Sequence, residues 1–224
     1  MLAERRLTPE IMDDPAIDAA TFAEVLRDLA KVNRVTMAGR PTLQFLERAA
    51  KGRDSLSVLD VGYGHGDMLR RIARWGDERE LDLQLTGIDL DPRSEPIARA
   101  ATTARIDYRT GDYADLAGPF DCVVSSLVAH HMDDAQLVAF LRWMDDNARV
   151  GWFVNDLHRH TLSYLGYPLL ARVAGWHRIV RKDGQTSIAR AFRPADWRRL
   201  LDRAGVEARI ERRFPFRLCI SKIH

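Results

Sequence analysis

The stretch Leu59-Asp60-Val61-Gly62-Tyr63-Gly64-His65-Gly66-Asp67 decides the fold. It follows the β-prone run Ser55-Leu56-Ser57-Val58 and leads into Met68-Leu69-Arg70-Arg71-Ile72-Ala73, which has helical spacing. The order is strand, glycine turn, helix. Glycines at alternate positions let the backbone turn sharply and leave no Cβ between loop and ligand, while the helix start behind them offers unpaired N–H groups. A dinucleotide fingerprint runs G-x-G-x-x-G. Here the third glycine comes one residue early and Asp67 takes the later slot, so the usual NAD match fails. Asp60, at the tip of the strand, repels a pyrophosphate but suits a cationic ammonium group.

Further along, Leu83-Gln84-Leu85-Thr86-Gly87-Ile88-Asp89 reads as a second buried strand ending on a carboxylate. Asp89 is placed to accept both hydroxyls of a ribose, or else to cap the next helix, a role that Asp91 before Pro92 fills better. A helix from Pro92 or Pro96 to about Thr102 precedes a short strand, Arg105 to Arg109, and then Gly111-Asp112-Tyr113. Pro119-Phe120-Asp121 opens the continuous apolar run of a fourth strand, buried on both faces, which leaves through Ser125-Ser126-Leu127-Val128-Ala129-His130-His131. Asp133 to Asn147 has one apolar helical face, and Arg149 to Phe153 form a fifth strand. Alternation of strand and helix over 55–157 predicts an α/β fold, a doubly wound sheet with its ligand at the carboxyl ends of the strands.

The flanks complete one domain of 224 residues. Residues 1–54 are expected to form an N-terminal helical cap over the site, loosely held up to residue 14 and then helical from Asp18 to Val35 and again after Gly39-Arg40-Pro41. Residues 157–192 read as a substrate lid, with the apolar, aromatic segment Thr161 to Trp176 and a turn at Lys182-Asp183-Gly184-Gln185. Residues 193–224 supply a helix from Pro194 to Ala204 and an antiparallel edge hairpin, Val206 to Glu211 and Phe214 to Ile220, giving seven mostly parallel strands.

The balance of 34 basic against 32 acidic residues, net charge +2, gives no field that draws the chain to nucleic acid. The apolar fraction of 46% is that of a globular domain, and no apolar run is long enough for an integral membrane segment. Cys122 and Cys219 suit a reducing compartment, and the polar start lacks a signal peptide, so a cytoplasmic monomer or homodimer is expected.

An acid followed by x, then G-x-G-x-G, with a second acid at the end of the next strand, resembles the class I SAM-dependent methyltransferases. The resemblance runs over essentially the whole chain and is strongest at residues 56–67, 86–92 and 120–132. It implies S-adenosyl-L-methionine as the cofactor, held by Asp60, Gly62, Tyr63, Gly64, Gly66, Asp89, Leu90, Asp112, Tyr113 and Ser126. Asp112 matches the acid that binds the adenine amino group, although Gly-Asp is also ordinary turn chemistry. Tyr63 stands where Cys or Ala is more usual. From the quinone-pathway members it implies an arginine for the methionine carboxylate, Arg40 or alternatively Arg34. Val154-Asn155-Asp156, Arg181-Lys182-Asp183-Gly184 and Arg212-Arg213-Phe214-Pro215-Phe216 are similar to bacterial enzymes of polyketide and phenolic-lipid pathways, which points to secondary metabolism.

That chemistry needs no metal. It needs a base for the acceptor, and His131 or His130, leaving the fourth strand, is placed for it, with His158 and His160 past the fifth strand as alternatives. The expected reaction is O-methylation of a small hydrophobic aromatic substrate, phenolic or enolic. C-methylation of a quinone or polyketide-type ring, or a non-catalytic SAM-binding regulator, are the alternatives.

Overall fold

A computed structural model describes residues 2–116 and 118–224. Seven strands, β1 (Ser55–Val61), β2 (Asp82–Asp89), β3 (Ile106–Thr110), β4 (Phe120–Ser126), β5 (Ala148–Leu157), β6 (Arg209–Arg213) and β7 (Arg217–Ile223), form one sheet in the order β3-β2-β1-β4-β5-β7-β6. The first five pair in parallel, and β7 runs antiparallel between β5 and β6. The fold is therefore the predicted doubly wound α/β sheet. Its parallel order reverses at β1 beside β4, which opens the crevice where such sheets bind ligands.

Eight helices surround it: α1 (Ala19–Val35), α2 (Arg40–Ala49), α3 (Asp67–Asp77), α4 (Ser94–Ala100), α5 (Asp134–Asn147), α6 (Thr161–Val173), α7 (Arg178–Arg190) and α8 (Pro194–Ala204). Side-chain alternation along each strand splits the core into two layers. Val58, Cys122, Val124 and Phe153 face α2, α3 and α4, whereas Leu59, Val123, Trp152 and Val154 face α5 and α8. Fully buried Trp197 of α8 and Trp152 anchor the second layer. The start of α5 is held by a capping box between Asp133 and Gln136, worth about 1 kcal/mol.

Four readings of the flanks change. Helix α2 is not part of a cap. It packs on the sheet, its Phe45 ring stacked on Phe153 at 5.2 Å, because its inward stripe is as apolar as those of the other flanking helices. The cap is instead α1 joined to α6 and α7 through Val25, Ala171, Trp176, Ile179 and Val180. Residues 182–185 are no turn but the middle of α7. Gly184 is there for close approach, since a Cβ would run into the Tyr167 ring, and Asp183 accepts the Ile11 and Met12 N–H groups at 2.9 Å each.

The N-terminal strap is the third. Leu2 and Glu10 are buried, and the Arg5 Nε donates to the Arg190 carbonyl at 2.7 Å with its guanidinium over the Phe192 ring. Polar contacts hold residues 2–14, so no apolar period marks them. At the other end Phe214-Pro215-Phe216 makes the hairpin turn rather than opening β7, which begins at Arg217.

Candidate active site

The glycine loop closes on itself through backbone geometry. Gly62, Gly64 and Gly66 have φ of 77°, 50° and 74°, the left-handed region that glycine adopts without strain. At two of them space is also decisive: a Cβ on Gly62 would collide with Val128 Cγ2, and one on Gly66 would lie 2.5 Å from Tyr108 Oη. Gly66 is the N-cap residue of α3, so the free N–H groups of a helix start follow the loop directly.

Three carboxylates surround this loop. Asp89 Oδ2 accepts the Gly64 N–H at 2.8 Å and Oδ1 the Asp91 N–H at 2.9 Å, so the second acid braces the first motif. Asp60 is 2% exposed and its Oδ1 has no partner. Burial first, and then the charges of Asp67 and Asp89, push its carboxyl up to about 8. Burial likewise raises Asp67 and Asp89 above the usual carboxylate range. Like charges around an orphaned oxygen are costly when nothing positive lies between them.

A cavity of about 590 Å³ opens from the loop. Asp60, Gly62, Tyr63, Gly64, Asp89, Leu90, Tyr113 and Ser126 line it, together with His130 and His131. Its far wall is apolar, built by Phe22, Leu26 and Leu29 of α1, Leu162 and Leu170 of α6, and Ile188 of α7. Ser126 Oγ is buried without a partner there. Leu127, at φ 62°, carries the strained backbone that ends β4 beneath the cavity.

His130 is buried between two acids. Its Nδ1 lies 2.7 Å from Asp156 Oδ1, its backbone N–H donates to Asp156 Oδ2 at 2.8 Å, and its Nε2 is 3.4 Å from Glu10 Oε1. Burial disfavours the imidazolium, but Asp156 and Glu10 outweigh it and push the ring up to about 10. His131 is more open, 31% exposed, with Nδ1 at 3.2 Å from Asp13 Oδ2. Arg190 donates to the carbonyls of both histidines at 3.1 Å and fixes this corner. Glu10, His130 and His131 bring ligating atoms within 4.8 Å of one another, a set able to hold a divalent ion.

Several expected residues lie elsewhere. Arg40 is exposed at the head of α2 and lines a separate surface cavity with Glu47 and Arg71. Arg34 is exposed on α1 and does not line the cavity either. Asp112 is exposed beside the cavity, its Oδ1 accepting the Ala114 N–H at 2.9 Å. Gly66 lies behind the cavity wall as the cap of α3. His158 turns away into a neighbouring arginine-lined cavity and so does not reach the glycine loop's cavity. The geometric reason is the β5 to β7 pairing, in which the His158 N–H donates to the Phe216 carbonyl at 2.8 Å and β5 ends one residue earlier. Sequence reading missed Glu10, Asp13 and Arg217. Glu10 and Asp13 sit in the unpatterned N-terminal strap, and Arg217 lies in the run Phe214 to Ile220, which read only as a strand of the edge hairpin.

The sheet order and the crevice at its switch point define a class I methyltransferase fold. Residues 58–151 match the family model described as a methyltransferase domain. No curated protein matches the sequence. Solved structures share the fold. The plantazolicin methyltransferase BamL, in complex with a triazolic desmethylPZN analog and SAH, is 15% identical over 87% of this chain and 73% of its own, TM-score 0.67. A SAM-dependent methyltransferase from Aquifex aeolicus is 14% identical over 92% and 97%, TM-score 0.63. Magnesium protoporphyrin IX methyltransferase from Synechocystis PCC 6803, with bound SAH, is 16% identical over 94% and 89%, TM-score 0.56. Among the described residues no helix is long and apolar enough to cross a membrane.

Proposed function

We propose that the chain transfers the methyl group of S-adenosyl-L-methionine to a hydroxyl oxygen, phenolic or enolic, of a small hydrophobic acceptor. The observation that carries this reading is Asp60: a buried carboxylate oxygen without a partner, flanked by Asp67 and Asp89, calls for a cation on the glycine loop. The amino-acid ammonium of this donor is such a cation, and a pyrophosphate is not. When bound, the donor supplies a methyl carbon activated by its positive sulfur.

The chain's own residues do the rest. Asp60 and Asp67 pair with the ammonium, Asp89 takes the ribose hydroxyls, Leu90 and Tyr113 flank the adenine, and Gly62 and Gly64 keep the loop free of side chains. The apolar wall from α1, α6 and α7 orders the acceptor and excludes water, which holds the reacting atoms in line. A phenol of pKa near 10 is ionised to only about one part in a thousand at pH 7, a deficit of roughly 4 kcal/mol that a base offsets. His131 is that base. Its Nδ1 faces Asp13, which orients the ring, and its Nε2, 3.8 Å from Glu10 Oε1, receives the proton. His130 is locked as a cation between Asp156 and Glu10 and positions its neighbour instead.

The test is calorimetry with S-adenosylhomocysteine, followed by turnover of S-adenosylmethionine over a panel of phenols and enols. Binding of the nucleoside and release of S-adenosylhomocysteine with a phenol are expected. Absence of binding on folded protein sinks the methyl-transfer reading, and binding without turnover on any hydroxyl removes the acceptor class.

A further inference from the structure

Arg217 opens β7 opposite Leu157 at the end of β5 and is 3% exposed. Its Nη2 donates to Thr36 Oγ1 at 3.3 Å, while Nε and Nη1 are buried with no partner. Among the described residues no carboxylate lies within 4.0 Å of it. Asp156, whose charge acts on it, already gives its oxygens to His130 and to the Leu157 N–H. A buried guanidinium in that state is costly until an anion completes it.

Its position shows where that anion comes from. Arg217 is in the wall between two cavities, the one that opens from the glycine loop and a second of about 610 Å³. The second is lined by Arg159, Arg193, Arg212 and Arg213 and by no acidic side chain. Arg159 is paired with Asp196 and Arg213 with Glu211, whereas Arg212 makes no ion pair among the described residues. The positive side chains gather at an open mouth whose rim carries the exposed Phe214 and Phe216. In the sheet β4 and β5 separate β7 from β1, so the Arg217 backbone stands about three strand spacings, roughly 14 Å, from the strand that carries the glycine loop. In the proposed reading that is the acceptor side of the cavity.

We propose that the acceptor is an acid, its carboxylate held by Arg217 at the entrance from the arginine-lined cavity while its hydroxyl reaches His131. The acid site stands on its own geometry; only the word acceptor rests on the methyl-transfer reading. Arginines at the mouth gather the anion from solvent, and Arg217 binds it where water is scarce, so recognition comes from charge at one end of the molecule and apolar fit at the other.

The experiment is calorimetry of the hydroxybenzoates against their methyl esters, on protein with and without S-adenosylhomocysteine, in the native chain and in Arg217→Met, Arg217→Lys and Arg212→Glu. In the native chain an acid binds about tenfold more tightly than its ester, the size of one charge-assisted contact. Arg217→Met erases that preference, Arg217→Lys restores part of it, and Arg212→Glu, an exposed change that spares the core, lowers it several-fold. No acid bound better than its ester in the native chain overturns the proposal. So does a loss of S-adenosylhomocysteine binding in Arg217→Met with 5′-methylthioadenosine binding intact, because that assigns the arginine to the cofactor's own carboxylate. If Arg217→Met does not fold, an unchanged preference in Arg212→Glu overturns it. None of these readouts uses turnover, so a failed methyl transfer and a failed acid site are separable.

Discussion

Replacing Asp60 by asparagine isolates the charge on which the proposed cofactor binding turns. In the unfolded chain this carboxyl ionises near its ordinary value of 3.8, and in the folded protein near 8. Between those values the native state holds more protons than the unfolded one, so stability falls as pH rises. The contribution is intact below about 4, is lost progressively toward 8 and is then constant. A tenfold change in acidity corresponds to about 1.4 kcal/mol, so ionising Asp60 inside the fold costs at most roughly 5 to 6 kcal/mol. Asp60→Asn removes the titration. Relative to the native chain it gains about 1.4 kcal/mol per pH unit between pH 5 and 8, measured by urea unfolding without ligand. Cofactor binding moves the other way. The ammonium pairs with the ionised carboxylate, so calorimetry should show S-adenosylhomocysteine affinity rising about tenfold per pH unit from pH 6 to 7.5 in the native chain, and low and flat in the variant. Parallel stability curves for the two proteins refute the reasoning, because they show that Asp60 is already ionised in the fold.

His131→Ala should lower kcat by 10²-fold or more, within the range of about 10²–10⁴ for general bases, with S-adenosylhomocysteine affinity unchanged by calorimetry. Gly66→Ala places a Cβ 2.5 Å from Tyr108 Oη at φ 74°, and thermal unfolding should show a loss of about 2 kcal/mol or more together with weaker nucleoside binding. Asp183→Ala frees the Ile11 and Met12 N–H groups and should make residues 2–14 open to limited proteolysis while the sheet stays folded, read by far-UV circular dichroism. Trp197→Ala empties the centre of the α8 layer and should cost about 3–5 kcal/mol in urea unfolding.

What the sequence determined by itself was local. Gly62, Gly64 and Gly66 after a strand, Asp60 before them and Asp89 at the next strand's end follow from backbone conformation and from the position of a carboxylate relative to a helix start, both short-range properties. The alternation of apolar strands with amphipathic helices fixed the doubly wound sheet for the same reason, since each element carries its own period. Tertiary structure decided everything that depends on which polar groups meet. Glu10 and Asp13 lie more than a hundred residues from the histidines they face, in a segment held by hydrogen bonds that leave no periodic trace. Gly184 read as a turn because a glycine kept for a ring packed against it looks the same in sequence as one kept for its φ. Arg217 was one arginine among many until β7 inserted beside β5 and buried it, and His158 was a base only until the same pairing turned it away from the crevice. Burial and long-range pairing set charge and direction here, and both belong to the folded chain as a whole.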